Sequence, residues 1–129
     1  MLKKLTLNLV VEDVNKTVEF YQSILGCFEL IETDPKKGRF DWAFMRCEDL
    51  EIMFQSKQSL SERITQFKSS ENGGSIIIYI EVDNIEYLYA WMKNKVEIIE
   101  ELHLTPYKMM EFIVRDCNGF ILAFAQWIK

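Results

Sequence analysis

The residues of this chain that could do chemistry are few and scattered. His103, in "EELHLTP", is the only histidine. With no partner placed beside it by spacing, it reads as a surface or packing residue sooner than a general acid or base. Cys27, Cys47 and Cys117 are odd in number, widely spaced and free of any C-x-x-C pair. Neither a disulfide framework nor a zinc knuckle is indicated, and inert, partly buried thiols in a reducing cytoplasm are expected. No glycine-rich phosphate loop, H-E-x-x-H or G-x-S-x-G pattern occurs, so nucleotide, zinc-protease and serine-hydrolase chemistry have no carrier. Binding chemistry remains: Thr6, Asn8 and Glu81 stand in otherwise apolar strands, where polar groups are costly to enclose without partners.

The elements that must position these residues are written twice. In "LTLNLVVEDVNKTVEFY", Leu5, Leu7, Leu9 and Val11 alternate with Thr6, Asn8 and Val10, the period of a strand. Asp13 then caps a helix whose stripe is Val14, Val18, Tyr21 and Leu25, and Gly26 stops it. "IIIYIEVDNIEYLYAWM" repeats this grammar, and an offset of 71 residues pairs Leu7 with Ile78, Asp13 with Asn84 and Phe20 with Trp91. The same offset lays "LEIMFQ" (50–55) on "ILAFAQ" (121–126), Gln55 on Gln126. Further strands are expected at "CFELIE" and "FDWAFMRC", then at "VEIIEEL" and "KMMEFIVRD". Each half reads strand, helix, strand, strand, strand. The polar, serine-rich join ends in Gly73-Gly74 and has a short helix with capping residues Ser59 and Glu62.

A chain of 129 residues with 49% hydrophobic and 13% aromatic residues can fill one core and has room for one ordinary domain. Module one is expected over about residues 3–56, the linker over about 57–74 and module two over about 75–128. The fold class is α+β: two tandem βαβββ modules forming a curved eight-stranded mixed sheet, a cup with the helices outside, since one half is too small to bury both a sheet face and a helix face. A net charge of -5 and the lack of any Lys/Arg run longer than two argue against nucleic acid as a partner. The amino terminus is too short and too polar for a signal peptide or a membrane span.

These stretches resemble the vicinal oxygen chelate superfamily, which includes glyoxalase I, the bleomycin resistance proteins, fosfomycin-modifying enzymes and extradiol dioxygenases. The carriers are "LVVEDVNKTVEFYQSILGCFEL", "IYIEVDNIEYLYAW" and the closing "EFIVRDCNGFILAFAQ", where Cys117 replaces the customary proline of the turn. The resemblance implies metal ligands at inward positions on the first and last strands of each half, carried over here onto Thr6, Ile52, Ile77 and Ala123. None is a His, Glu or Gln, and three or four such donors are what a divalent metal needs. Glu51 neighbours Ile52, so a shift of one residue would supply a single carboxylate, which is no site. No metal and no cofactor is therefore expected, and the reading leans away from an enzyme.

The strand parity implied by those four positions points Thr6, Asn8, Val10, Ile52, Phe54, Ile77, Tyr79 and Glu81 into the cup, with Ala123 and Ala125 leaving space. Such an apolar and aromatic lining with a few polar handles suits a small-molecule pocket, although aromatics at strand spacing are more often core. The resemblance is closest in style to the bleomycin resistance proteins, which are metal-free dimers that bind a flat basic ligand by stacking and acidic charge. It extends over "TPYKMMEFIVRD" (105–116), where Met110 stands in place of an arginine found in many relatives, so that contact is not carried over. Trp42 is a stacking candidate of open strand parity, and Trp91 is assigned to packing.

The ligand-binding candidates are thus Thr6, Asn8, Trp42, Phe54, Tyr79, Glu81, Met110 and Phe112. The function expected is metal-independent sequestration or carriage of a small aromatic or cationic ligand by a cytoplasmic homodimer, in the manner of antibiotic resistance proteins. The alternatives are a metal-dependent lyase or dioxygenase with a relocated site, built on Glu51, Glu81 or His103, and a dimeric interaction protein with a closed core.

Overall fold

Asp13 ends one strand and begins one helix. Its backbone is extended and its carboxylate accepts from the Lys16 amide at 3.0 Å, which satisfies a helix-start donor that would otherwise have no partner. Asn84 does the same for the Tyr87 amide, 71 residues later, so the repeat holds at both helix starts. The computed structural model describes residues 1, 3–63 and 76–128, Arg63 by its backbone only. The chain divides into two compact units, Met1–Glu71 and Asn72–Lys129.

Unit one contains β1 (Leu7–Val11), α1 (Val14–Ser23), β2 (Glu29–Asp34), β3 (Trp42–Cys47), β4 (Leu50–Ser56) and α2 (Lys57–Arg63). Its strands form one sheet in the order β1-β4-β3-β2, with β1 and β4 parallel and the other neighbours antiparallel. Unit two contains β5 (Ile77–Glu81), α3 (Ile85–Met92), β6 (Glu97–Leu104), β7 (Met109–Arg115) and β8 (Ile121–Trp127). Its sheet runs β5-β8-β7-β6, with the parallel pair again formed by its first and last strands. The architecture is α+β with two four-stranded mixed sheets, as the doubled βαβββ pattern predicts. Among the described residues no helix is long and apolar enough to cross a membrane.

Each sheet has a helix on one face. In unit one the core is Val14, Val18 and Tyr21 of α1 against Leu9, Val11, Ala43, Met45, Ile52 and Phe54. The Tyr21 ring lies 4.7 Å from Phe54 and 5.5 Å from Phe28, contacts that add about 0.5–1.5 kcal/mol each beyond area burial. In unit two Phe112 lies 5.1 Å from both Tyr89 of α3 and Phe124 of β8, with Ile85, Met92, Val114 and Leu122 buried around them.

The register corrects one expectation. Leu7 pairs with Ile52 and Leu9 with Phe54, and paired residues share a face. Ile52 and Phe54 therefore join the core under α1, and the face of β4 turned away from α1, uncovered except where α2 reaches Gln55 through Ser59, is Glu51, Met53 and Gln55. In unit two Tyr79 pairs with Ala123 and Ile80 with Phe124, which puts Ile77, Tyr79, Glu81, Ala123 and Ala125 on the uncovered face as expected. The offset is therefore 71 from Leu9 to Ile80 but 70 from Phe54 to Phe124.

Two local readings also change. The short helix after β4 starts at Lys57, with the Ser56 hydroxyl accepting from the Ser59 amide at 3.1 Å, so Ser56 is the cap and Ser59 is inside the helix. The rest of the join, including Gly73-Gly74, lies outside the described residues. Cys27 and Cys47 form a disulfide, with Cα atoms 5.2 Å apart, and Cys117 is exposed and outside that bridge. Spacing could not show this, because Gly26, at φ 78°, turns the chain after α1 and returns Cys27 to the end of β3. The bridge removes the free-thiol argument for a reducing cytoplasm.

Candidate functional site

The uncovered face of unit one carries Asn8 and Val10, then Glu51, Met53 and Gln55, then Trp42, Phe44 and Arg46, in cross-strand pairs Asn8 with Met53, Trp42 with Gln55, Phe44 with Met53 and Arg46 with Glu51. Trp42, whose parity the sequence left open, is on this face, and its indole N–H donates to the Met53 sulfur at 3.3 Å. Asn8 donates from Nδ2 to Gln55 Oε1 at 3.0 Å, and Gln55 donates from Nε2 to Ser59 Oγ at 3.1 Å. Gln55 is only 3% exposed. Both ends of its amide are thus satisfied, as burial requires, and its orientation is set.

Trp42, Gln55 and Ser59 line a hollow of about 490 Å³ together with Glu32, Thr33, Asp34, Lys36 and Asp41. The loop at its rim is pinned rather than loose. Asn15 of α1 donates to the Gly38 carbonyl at 2.9 Å and accepts from the Phe40 amide at 2.8 Å. The Asp41 amide donates to the Asp34 carbonyl, and the Asp41 carbonyl accepts from the Ser56 amide, both at 2.8 Å. Three carboxylates against one lysine give the hollow a negative field beside an indole, which favours a cation with a flat face.

The family's metal positions do not fit a metal here. Thr6 is half-buried just ahead of β1. Ile52 lies in the core, and Glu51, which takes its place on the uncovered face, is held by Lys4 on Oε1 and by the Arg46 guanidinium on Oε2 at 3.0 Å. That carboxylate is already neutralised by two cations. In unit two the corresponding positions are Ile77 and Ala123, which offer no donor.

Unit two has a polar centre that the sequence did not single out. Glu111 is 6% exposed, and its Oε2 accepts from the Tyr79 hydroxyl and, at 2.9 Å, from the Tyr107 hydroxyl. Tyr79 sits on β5 and Glu111 on β7, with Ala125 of β8 between them. A small side chain there leaves the phenol room to cross the strand. Among the described residues no lysine or arginine pairs with Glu111. The Tyr79 hydroxyl is pushed well above its ordinary pKa, first by desolvation and then by its bond to Glu111, while the Tyr107 hydroxyl is raised chiefly by that carboxylate. Tyr79 is half exposed overall, so its ring faces outward and only its hydroxyl reaches the buried carboxylate.

The remaining candidates separate cleanly. Glu81 is on the uncovered face, opposite Ala125, and exposed. Phe54 and Phe112 are 0% exposed in the two helix-covered cores, and Met110, paired with Gln126, lies on the same side as Phe112. Phe54, Phe112 and Met110 are therefore not on the uncovered faces. Gln126 accepts from the Ile85 amide at 3.0 Å and donates to the Asp83 carbonyl at 2.7 Å, so it holds the entry to α3 and does not match Gln55. His103 is a surface residue, with Nδ1 2.8 Å from the Glu101 carbonyl and Nε2 3.6 Å from Glu100. Trp91 is partly exposed on α3, with the Lys95 ammonium 3.8 Å from its ring centre. The signal that would have found Glu111 was present: it is the one charged residue between apolar neighbours in "KMMEFIV".

Comparison with known proteins agrees with this architecture. The chain is similar in structure to TioX from Micromonospora sp. ML1, with a TM-score of 0.78 and 19% identity over 98% of this chain and 99% of that one. A glyoxalase/bleomycin resistance protein/dioxygenase from Nocardioides superposes with a TM-score of 0.79 and 17% identity, over 100% of this chain and 87% of that one. A family enzyme of the same description from Burkholderia phytofirmans PsJN gives 0.78 and 16%, over 95% and 97%. At these identities the likeness establishes the fold alone. No curated protein matches the chain. The sequence model of one family matches residues 5–124, nearly the whole length over which the two βαβββ patterns run. The chain belongs to the glyoxalase/bleomycin resistance protein/dioxygenase superfamily.

Proposed function

We propose that this protein binds a small basic molecule with a flat aromatic face, without a protein-held metal on its sheet faces. The observation that carries the reading is the hollow in unit one, which Glu32, Asp34 and Asp41 line together with Trp42 and a fixed Gln55. A cation entering it gains from three carboxylates, an indole and an amide whose position costs nothing further to order. The overall charge of -5 adds a long-range attraction that salt would screen. The paired ion cluster Lys4–Glu51–Arg46 supports the metal-free part of the reading, because the one carboxylate at a family ligand position already has its counter-ions.

The test is titration with a planar acridinium dye, a neutral isostere and an anionic isostere, following tryptophan fluorescence. Saturable quenching by the cation, lost in Trp42→Leu and weakened by added salt, is the expected result. Equal response to all three compounds, or quenching unchanged in Trp42→Leu, would overturn it. The homodimer, supported by the family resemblance, and the cytoplasmic location belong to the same proposal. Sedimentation of the purified protein showing only monomer would remove the dimer.

A further inference from the structure

The bridge between Cys27 and Cys47 has a third group beside it. Glu48 directly follows Cys47, and its carboxylate and both sulfur atoms lie within 4.8 Å of one another. Glu48 adopts φ 54°, the left-handed region that non-glycine residues avoid, in the turn between paired residues Cys47 and Leu50. Among the described residues Glu48 has no hydrogen-bond or ion-pair partner. Cys47 is 8% exposed, whereas Cys27 and Glu48 are open to solvent. Once the bridge is reduced, two thiols and the Glu48 carboxylate at the end of the hairpin are three neighbouring ligands of the kind that zinc takes.

We propose that Cys27, Cys47 and Glu48 form a redox-gated site for a thiophilic divalent cation such as Zn²⁺, closed as the disulfide and opened by reduction. The opening step is thiol–disulfide exchange with a dithiol reductant. Its thiolate attacks the accessible sulfur of Cys27, forming a mixed disulfide and expelling the Cys47 thiolate, which takes a proton. The second thiol of the reductant then closes a ring on the first and releases Cys27. The protein pair gains two electrons and two protons, and the reductant is oxidised to its cyclic disulfide. Metal capture then releases the two thiol protons as both sulfurs bind as thiolates. Glu48 supplies the third ligand and water the fourth, on the exposed side. The site is independent of the hollow in unit one, since none of its three residues lines it.

The test uses the full chain in a Cys117→Ser background, so that the third thiol takes no part. Protein reduced with a phosphine is expected to take up one Zn²⁺ per chain in competition with a chromophoric chelator, and one Cd²⁺ with a thiolate-to-metal charge-transfer band. The oxidised protein, which is folded with the sulfurs joined, is expected to show neither. Cys27→Ser with Cys47→Ser should abolish the band. Glu48→Gln should keep it while weakening affinity by about tenfold or more. No uptake by the reduced protein, equal uptake by oxidised and reduced protein, or a Glu48→Gln affinity equal to that of the parent would overturn the proposal. Circular dichroism of each sample separates loss of the site from loss of the fold.

Discussion

The hydroxyl of Tyr107 donates to Oε2 of Glu111 at 2.9 Å, and it reaches that carboxylate because the turn between β6 and β7 doubles back. The Thr105 hydroxyl accepts from the Met109 amide at 3.1 Å, the Thr105 amide donates to the Met109 carbonyl at 2.8 Å, and Lys108 takes a left-handed φ of 66°. Four residues of sequence are thereby folded over one buried acid, with Tyr79 arriving from the far side of β8.

This centre makes stability fall in alkali. Both phenols have folded-state pKa values above their ordinary one, so their contribution is whole below the unfolded value of ~10 and is lost as pH rises from there through the raised folded-state values, where the unfolded chain has released protons that the native chain keeps. Denaturant midpoints measured across that range should decline, and Tyr79→Phe should flatten the decline. A Tyr79→Phe profile parallel to that of the parent would refute the assignment.

At neutral pH, Tyr79→Phe removes one of the two donors to a buried carboxylate. A loss of about 1.5–3 kcal/mol is expected for a hydrogen bond to a charged group, with the exposed ring left in place. Urea unfolding of the two proteins measures it, and a change below a few tenths of a kcal/mol would show that Tyr107 alone satisfies Glu111.

The corrected register is tested by Phe54→Ala. With Phe54 at 0% exposure against Tyr21, the variant should lose about 3–5 kcal/mol. Phe54→Leu, a milder change, should lower the melting temperature while leaving dye affinity within about twofold. A large affinity change in the leucine variant would place Phe54 at the ligand after all.

Within the hollow, Asp34→Asn should weaken the planar cation by about 1 kcal/mol or less, since the carboxylate is exposed and screened, and should reduce the salt dependence of binding. Gln55→Ala should cost more, because it leaves Asn8 and Ser59 without their partner. Calorimetric titration at two salt concentrations distinguishes these outcomes, and a stronger effect from Asp34 than from Gln55 would assign binding to charge alone.

Reduction of the Cys27–Cys47 bridge, whose partners are 20 residues apart in sequence, should cost about 3 kcal/mol through restored freedom of the unfolded chain. Thermal unfolding with and without a phosphine, in the absence of metal, measures it. Identical transitions would show that the pair does not close in solution.

Much of the fold was legible because its rules are local. Asp13 and Asn84 announce helix starts by their side chains, Leu9 and Val11 announce a buried face by alternation, and Asp116 and Gly119 announce the last turn, where Asp116 Oδ1 accepts from the Asn118 and Phe120 amides at 2.8 and 2.9 Å. The candidate site was legible in half. Asn8, Tyr79 and Glu81 are on the uncovered faces where alternation put them, and Trp42 joined them. Phe54 did not, because aligning Gln55 with Gln126 hid a one-residue slip between the halves; Met110 and Phe112, taken from the resemblance over 105–116, lie on the helix-covered side of β7.

By itself the sequence determined the elements, their doubling and the lack of metal donors at Thr6, Ile52, Ile77 and Ala123, since capping, alternation and residue chemistry depend only on near neighbours or on residue type. Only the tertiary structure decided which face of β4 is uncovered, that Glu51 is spent on Lys4 and Arg46, that Cys27 meets Cys47, and that two tyrosines converge on Glu111. Each of these is a pairing between strands or turns distant in the chain. A strand's side-chain period is two, so a shift of one residue in such a pairing reverses every face while leaving the local pattern unchanged.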